Sequence, residues 1–88
     1  MIVFDPEKDA ANIVKHGVSL RLAEEMDMRS ALIGIDDRRD YREVRYIAFG
    51  EIDGRLHALT FTIRDENVRA ISLRRARAKE LRKWLFES

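Results

Sequence analysis

The chain has 88 residues, no cysteine and a formal net charge of +1 at pH 7, from 17 lysines and arginines against 16 aspartates and glutamates. This length predicts one small domain over residues 1–88, with a thin core. The lack of cysteine excludes disulfides and thiolate metal sites. No apolar run approaches the roughly 18–20 residues of a membrane span, and early charges interrupt any signal peptide. We therefore expect a cytoplasmic protein that does not enter membranes.

The near-neutral total hides an uneven distribution of charge. Residues 64–88 hold 8 lysines and arginines against 4 acidic residues, a net of +4, whereas residues 1–63 hold 9 against 12, a net of −3. Such asymmetry indicates a polyanionic partner, for which nucleic acid is the usual candidate. The alternative interpretation is a solvated basic helix face.

The first third of the chain predicts one short strand and two helices. Residues 2–4 are a strand candidate, and Asp5, followed by proline, is typical of a helix start. Gly17 favours a left-handed end to that helix. Ser19 is placed to cap a second helix that runs to about Met28.

The remainder predicts a strand meander and one further helix. Asp53-Gly54 is a strong hairpin signal between two of the strands. The element order indicates an α+β fold, in which an antiparallel sheet is packed by two N-terminal helices and a C-terminal helix. The predicted strands cover residues 31–35, 45–51, 56–64 and 68–73, and the helix follows directly.

The basic segment ISLRRARAKE, residues 71–80, lies where the last strand meets the last helix. An apolar stripe at helical spacing would include Leu73, and Arg74 and Arg77 then fall inside the apolar arc. One interpretation is that their long side chains extend past the apolar residues into solvent. The other is that they project into a cleft, where the planar guanidinium of arginine can bind phosphate. Arg75 and Lys79 fall on the opposite, solvated side.

Arg64 closes the strand that precedes this segment. If adjacent elements end together, Arg64 and Arg74 contribute to one anion-binding site. The alternative is that Arg64 pairs with neighbouring Asp65 or Glu66.

Two histidines offer candidates for proton transfer. Lys15-His16 lies at a helix C-terminus, where the helix dipole is expected to raise the pKa of His16. His16 is a candidate general acid or base, although a capping histidine is more often structural. Glu51 is a further candidate base, and His57 is expected to be partly buried and satisfied. The histidines have no metal-site spacing, so no metal is predicted. The sequence has neither a phosphate loop nor a Rossmann fingerprint, so no other cofactor is predicted.

The chain resembles the BrnT toxin family along nearly its whole length. The pattern begins with Phe4-Asp5 and continues through Lys15-His16-Gly17-Val18-Ser19. It ends with an Ile-Ser-x-Arg-x-Ala motif at residues 71–76. Further matching positions are Lys8, Asn12, Tyr41, Arg45, Gly50, Gly54, Arg55, Leu56, Thr62, Arg64, Arg69 and Glu80. The chain departs from the family at Phe4, where tryptophan is common, and at Leu73 and Trp84.

The resemblance implies a type II toxin with a RelE-like ribonuclease fold. It implies cleavage of RNA without a metal, arrest of translation and growth, and neutralisation by a small BrnA-like ribbon-helix-helix antitoxin. The two proteins would form a hetero-oligomer, and operator DNA would be bound only through that complex.

For the mechanism, we expect the RNA 2′-hydroxyl to attack the adjacent phosphorus. The expected catalytic residues are Arg64 and Arg74 on the phosphate and His16 in proton transfer, with Lys15 or Glu51 as substitutes. The expected RNA contacts are Arg45, Arg69, Arg75, Arg77 and Lys79. A binding module for nucleic acid or for the antitoxin, without catalysis, is the competing interpretation.

Overall fold

Residues 2–87, which are described by a computed structural model, form five strands and three helices. The strands are β1 (Ile2–Val3), β2 (Leu32–Ile35), β3 (Tyr46–Ile52), β4 (Arg55–Arg64) and β5 (Asn67–Arg75). The helices are α1 (Pro6–His16), a 3₁₀ helix (Leu20–Glu25) and α2 (Ala78–Glu87). The predicted α+β class is confirmed. No helix among residues 2–87 is long and apolar enough to cross a membrane.

The five strands form one sheet in the order β1-β5-β4-β3-β2. Strands β2 to β5 are an antiparallel meander, as predicted. β1 instead runs parallel to β5, with Ile2 opposite Val68 and Val3 opposite Arg69. The expectation of a wholly antiparallel sheet is therefore wrong for this strand. β1 lies at the outer edge of the sheet, and Ile2 packs against the core.

α1 begins and ends where the sequence predicts. The Asp5 carboxylate accepts a hydrogen bond of 2.8 Å from the Glu7 amide. At the other end Gly17 has a φ of 75°, and its amide donates to the Ile13 carbonyl at 2.8 Å. A left-handed residue of this kind is inexpensive for glycine, which has no Cβ.

The second helix has a tighter geometry than predicted. Ser19 caps it, but it is a 3₁₀ helix that ends at Glu25, before the predicted end at Met28. Its buried residues, Leu20 and Ala23, together with buried Met26 after it, are spaced by three. A 3₁₀ helix has three residues per turn, so it aligns all three towards the core.

Two-residue turns join the last three strands. Asp53 and Gly54 both have positive φ, at 54° and 79°, which confirms the predicted hairpin. Asp65 and Glu66 also have positive φ, at 50° and 68°, and Asn67 already belongs to β5. Such turns match the twist of the strands that they join.

β5 is longer than predicted, and its pairing with β4 contains one irregularity. Thr60 pairs with Ser72 and Phe61 with Ala70, so Ile71 has no opposite residue. This bulge places Ala70 and Leu73, three positions apart, in the same core. β5 then continues through Arg75. The predicted direct passage from Leu73 into a helix is wrong, because Leu73 is a fully buried strand residue.

The core lies between the sheet and the pair formed by α1 and the 3₁₀ helix. Tyr46 and Phe61 stack there with ring centroids 5.3 Å apart. A Cβ on Gly50 would approach Met26 Cγ to 2.8 Å, so glycine permits Met26 to reach the sheet. The buried apolar cluster comprises Val18, Leu20, Ala23, Met26, Ala48, Ile52, Leu59, Phe61, Ala70 and Leu73.

α2 has no buried residue. The predicted apolar stripe is mostly open to solvent, with Leu81 40% and Leu85 61% exposed. Polar contacts connect the helix to the sheet side of the molecule. Glu80 pairs with Arg74, and the Trp84 indole donates to the Ser30 carbonyl at 3.2 Å.

Asn12 joins α1 to β5 across a distance of 61 residues in sequence. Its Nδ2 donates to the carbonyls of Leu73 at 2.8 Å and Val18 at 2.9 Å, and its Oδ1 accepts from the Leu73 amide at 3.1 Å. β1 ends opposite Arg69, so Leu73 has no strand on that side. The buried amide of Asn12 therefore replaces a neighbouring strand.

We expect Asn12→Ala to destabilise the protein by about 3 kcal/mol, because three buried backbone groups lose their hydrogen bonds. Urea denaturation measures the change. Val14→Ala on the same helix is the control, since Val14 is 88% exposed and its truncation should change stability by less than about 0.5 kcal/mol. Equal stability of the Asn12→Ala variant and the parent would contradict the role of Asn12.

Candidate active site

The strand register separates the two arginines that were expected to share a phosphate. Arg64 lies opposite Asn67, at the start of β5, whereas Arg74 lies opposite Ala58, seven positions further along β5. At about 3.3 Å per residue this is a separation of roughly 20 Å. One phosphate cannot contact both, so the expectation of a shared anion site is wrong. The predicted site residues fall into separate groups.

The first group, which we call the helix-end cluster, comprises Lys15, His16, Arg74, Arg75 and Arg77. His16 lies one helical turn after Asn12, on the same side of α1. Asn12 is bonded to Leu73, immediately before the arginines. The contact between α1 and β5 therefore brings the end of α1 to the basic segment.

The surroundings of His16 lower its pKa from the ordinary value of 6.5. Burial is the largest cause, and the positive charges of Lys15, Arg74 and Arg77 act in the same direction. The helix-dipole argument predicted the opposite direction, and it is outweighed by these effects. The imidazole is consequently neutral near pH 7 and able to accept a proton.

Arg74 is engaged by Glu80 at the start of α2. Its Nη1 and Nη2 donate to the two carboxylate oxygens at 2.8 and 2.9 Å. Glu80 also accepts from the Arg77 amide at 2.8 Å, which caps the helix. The pKa of Glu80 falls to about 2, chiefly through the hydrogen bonds from Arg74. Neither sequence interpretation of Arg74 anticipated this ion pair, and Arg77 before α2 is not the Ser or Thr of a capping-box signal.

The two exposed arginines of the helix-end cluster share a cleft with Glu51 but not with Lys79. Arg75 and Arg77 are exposed and have no ion pair within residues 2–87. Both line a cleft of about 290 Å³ together with half-buried Glu51. Lys79 lies elsewhere, along a groove between α2 and strands β2 and β3. Glu51 is thus near the arginines, whereas Lys79 lines a different surface.

The second group, which we call the loop-end cluster, comprises Lys8, Arg45, Arg64 and Arg69. Glu43 organises part of it by accepting from Arg64 Nη2 at 2.8 Å and from Arg45 Nε at 3.4 Å. These bonds lower the pKa of Glu43. The alternative prediction, that Arg64 pairs with Asp65 or Glu66, is therefore wrong. No local pattern signals a partner 21 residues earlier.

Tyr41 and Asp36 contact arginines in the loop next to the loop-end cluster. The guanidinium of Arg45 lies 4.0 Å from the centre of the Tyr41 ring. Buried Asp36 accepts two hydrogen bonds from Arg38, at 2.7 and 2.9 Å, and its pKa falls to about 2 through them. The loop that supplies Glu43 and Arg45 is therefore internally bonded.

His57 is buried, and its Nδ1 lies 2.7 Å from the Arg55 carbonyl. Its ring therefore has a hydrogen-bonding partner, as predicted. Across residues 2–87, no group of three or more histidine, cysteine, aspartate or glutamate side chains is arranged to hold a metal ion.

Comparison with known proteins identifies a family. A family model described as the ribonuclease toxin BrnT of type II toxin–antitoxin systems matches residues 4–80. No curated protein matches the chain. The matched range includes strands β2 to β5, both clusters and Glu80, and leaves most of α2 outside.

The pH dependence of the unfolding free energy in acid measures the contribution of the Arg74–Glu80 ion pair to stability. The pKa of Glu80 is about 2 in the folded protein against an ordinary 4.5. Its stabilising contribution is therefore complete above about pH 4.5 and is lost as the pH falls towards 2. Over this range, we expect the parent to lose on the order of 2–3 kcal/mol more unfolding free energy than Glu80→Gln does. Denaturation at a series of pH values measures the difference.

Asp36 titrates in the same range, but it is present in both proteins and cancels in the difference. Glu87→Gln, at an exposed residue of α2, is the control and should keep the pH dependence of the parent. Parallel curves for the parent and Glu80→Gln would show that the pair does not stabilise the fold.

Proposed function

Because the chain belongs to the BrnT family, the ribonuclease toxins of type II toxin–antitoxin systems, we propose that it is a metal-independent endoribonuclease with a RelE-like fold. Cleavage of RNA in the cytoplasm would arrest translation and growth. The observation that carries the choice of site is the position of partly buried His16 at the end of α1, where Lys15, Arg74 and Arg77 are close enough to lower its pKa. A neutral base beside positive charges is suited to RNA cleavage by an internal hydroxyl.

In the proposed reaction, the 2′-oxygen forms a bond to the adjacent phosphorus while the bond from phosphorus to the 5′-oxygen breaks. His16 accepts the proton of the 2′-hydroxyl, and Lys15 or water returns a proton to the departing 5′-oxygen. The products are a 2′,3′-cyclic phosphate and a 5′-hydroxyl. The nucleophile belongs to the substrate, so the reaction needs no metal-activated water.

The arginines of the helix-end cluster take different parts in this proposal. Arg75 and Arg77, exposed and without ion pairs within residues 2–87, bind the scissile phosphate and stabilise the charge that develops on it. Arg74 is held by Glu80 and acts as a positioning residue for the start of α2. Glu51 is the alternative base, since it lines the same cleft as Arg75 and Arg77.

The loop-end cluster is less suited to proton transfer. Its carboxylate Glu43 accepts hydrogen bonds from two arginines, and these lower its pKa. A carboxylate stabilised in this way is a weak base. Arg64 therefore contributes to RNA binding in this proposal, and not to the chemical step.

Family membership implies an antitoxin partner. We propose that this partner is BrnA-like, with a ribbon-helix-helix domain, and that the two proteins assemble into a hetero-oligomer. Binding to operator DNA would come from the antitoxin, because the basic clusters of this chain are assigned to RNA.

Incubation of the antitoxin-free protein with end-labelled RNA in excess EDTA tests the proposal. We expect cleavage that leaves cyclic-phosphate ends. His16→Ala, and the double variant Arg75→Ala/Arg77→Ala, should each slow cleavage by roughly 10²–10³ through loss of the base or of the phosphate ligands. Arg21→Ala, at an exposed arginine of the 3₁₀ helix, is the control for loss of surface charge.

Antitoxin binding and thermal unfolding establish that each variant is folded. Cleavage that stops in EDTA and returns with added Mg²⁺ would contradict the metal-independent mechanism. Parental rates in both helix-end variants would contradict the assignment of the site.

The rate should also depend on pH in a defined direction. His16 acts as a base only when neutral, and its pKa lies below 6.5. We therefore expect kcat/KM to rise with pH and to be level by about pH 7. In His16→Ala the rise should disappear. Identical profiles for the parent and His16→Ala would assign the proton transfer to another group, with Glu51→Gln as the next variant to measure.

A further inference from the structure

Arg69 has an unusual environment on β5. Its Nε is buried and has no hydrogen-bond partner within residues 2–87. The rest of the guanidinium forms no hydrogen bond or ion pair with those residues either. A buried guanidinium nitrogen without an acceptor costs free energy, and each such group requires an explanation.

The residue lines a cleft of about 190 Å³ with Asp5, Lys8, Glu43 and Arg64. Both acidic neighbours already have partners: Asp5 caps α1, and Glu43 accepts from Arg64 and Arg45. Three cationic side chains therefore face the cleft, and neither carboxylate bonds to Arg69. Because Nε is closed to solvent, an acceptor from outside the protein would reach Arg69 through its two terminal nitrogens, which have no partner among residues 2–87.

From this cleft we infer a second phosphate-binding site, in which Arg69 and Lys8 hold a phosphodiester of the RNA some way along the strand from the bond that is cleaved. The inference rests on the proposed ribonuclease function. Arginine binds phosphate oxygens in a bidentate manner, with two donors in one plane. Arg69 precedes Arg74 by five positions on β5, so the two clusters are separated by roughly 15–20 Å. An RNA bound at both sites would have to extend over several nucleotides.

Binding of a fluorescent oligonucleotide of about ten 2′-O-methyl nucleotides tests this site. The methyl group removes the nucleophile, so the measurement is independent of cleavage. Each phosphate contact to a single strand contributes about 0.7 to the slope of log K against log salt concentration. We expect Arg69→Gln to reduce the magnitude of that slope by about 0.7 and to weaken binding roughly tenfold. Arg69→Lys should keep the slope but lose affinity, since it retains the charge and not the planar fork.

Arg21→Gln is the control for a lost surface arginine and should leave slope and affinity unchanged. If Arg69→Gln fails to fold, exposed Lys8→Gln replaces it, and its expected loss of slope is the same. A slope and affinity equal to those of the parent in these variants would overturn the inference. So would an unchanged slope accompanied by weaker antitoxin binding, because the missing acceptor would then be a carboxylate of the antitoxin.

Cleavage kinetics separate this inference from the proposed function. In a protein that cleaves RNA, the loss in Arg69→Gln should fall on KM and not on kcat. In a protein that cleaves no RNA, the salt slope still decides whether the cleft holds a phosphate. The two proposals can therefore fail independently.

Discussion

The arrangement of the candidate site depends on the three hydrogen bonds of Asn12. β1 covers only the first part of β5, and from Ala70 onwards the outer edge of that strand has no strand neighbour. Asn12 satisfies both backbone groups of Leu73 at this edge and also holds the Val18 carbonyl. One buried amide thus fixes the end of α1, the following loop and the strand that carries the arginines. His16 meets the basic segment as a consequence.

Two glutamates allow many arginines to lie close together. Glu80 binds Arg74 at one end of β5, and Glu43 binds Arg64 and Arg45 at the other. Each carboxylate offsets part of the local positive charge and orients the guanidinium groups through hydrogen bonds. The formal net charge of +1 for the whole chain therefore does not describe the local charge at either end of β5. Positive charge that remains without a partner among residues 2–87 is concentrated in side chains facing solvent or a cleft.

The sequence predicted local structure well wherever short-range chemistry determines it. The Asp5 cap, the Gly17 stop and the Asp53-Gly54 turn are all confirmed, since each depends on a few adjacent residues. The β5 bulge at Ile71 was not predictable, because it is defined by register with another strand. It converts an apparently helical spacing into strand structure and changes the place of Arg74. The bond between Arg64 and Glu43 was equally unpredictable, since it joins segments that lie 21 residues apart in sequence.

The helix that buries nothing still influences the candidate reaction centre. α2 has no buried residue, so its first turn depends on Glu80, which bonds to both the Arg74 guanidinium and the Arg77 amide. The charges of those two arginines contribute to the lowered pKa of His16. Glu80 therefore acts on the histidine indirectly, by holding the cations that surround it. Hydrophobic burial sets the position of β5, and the ion pair between Arg74 and Glu80 orients the positive charge at the end of that strand.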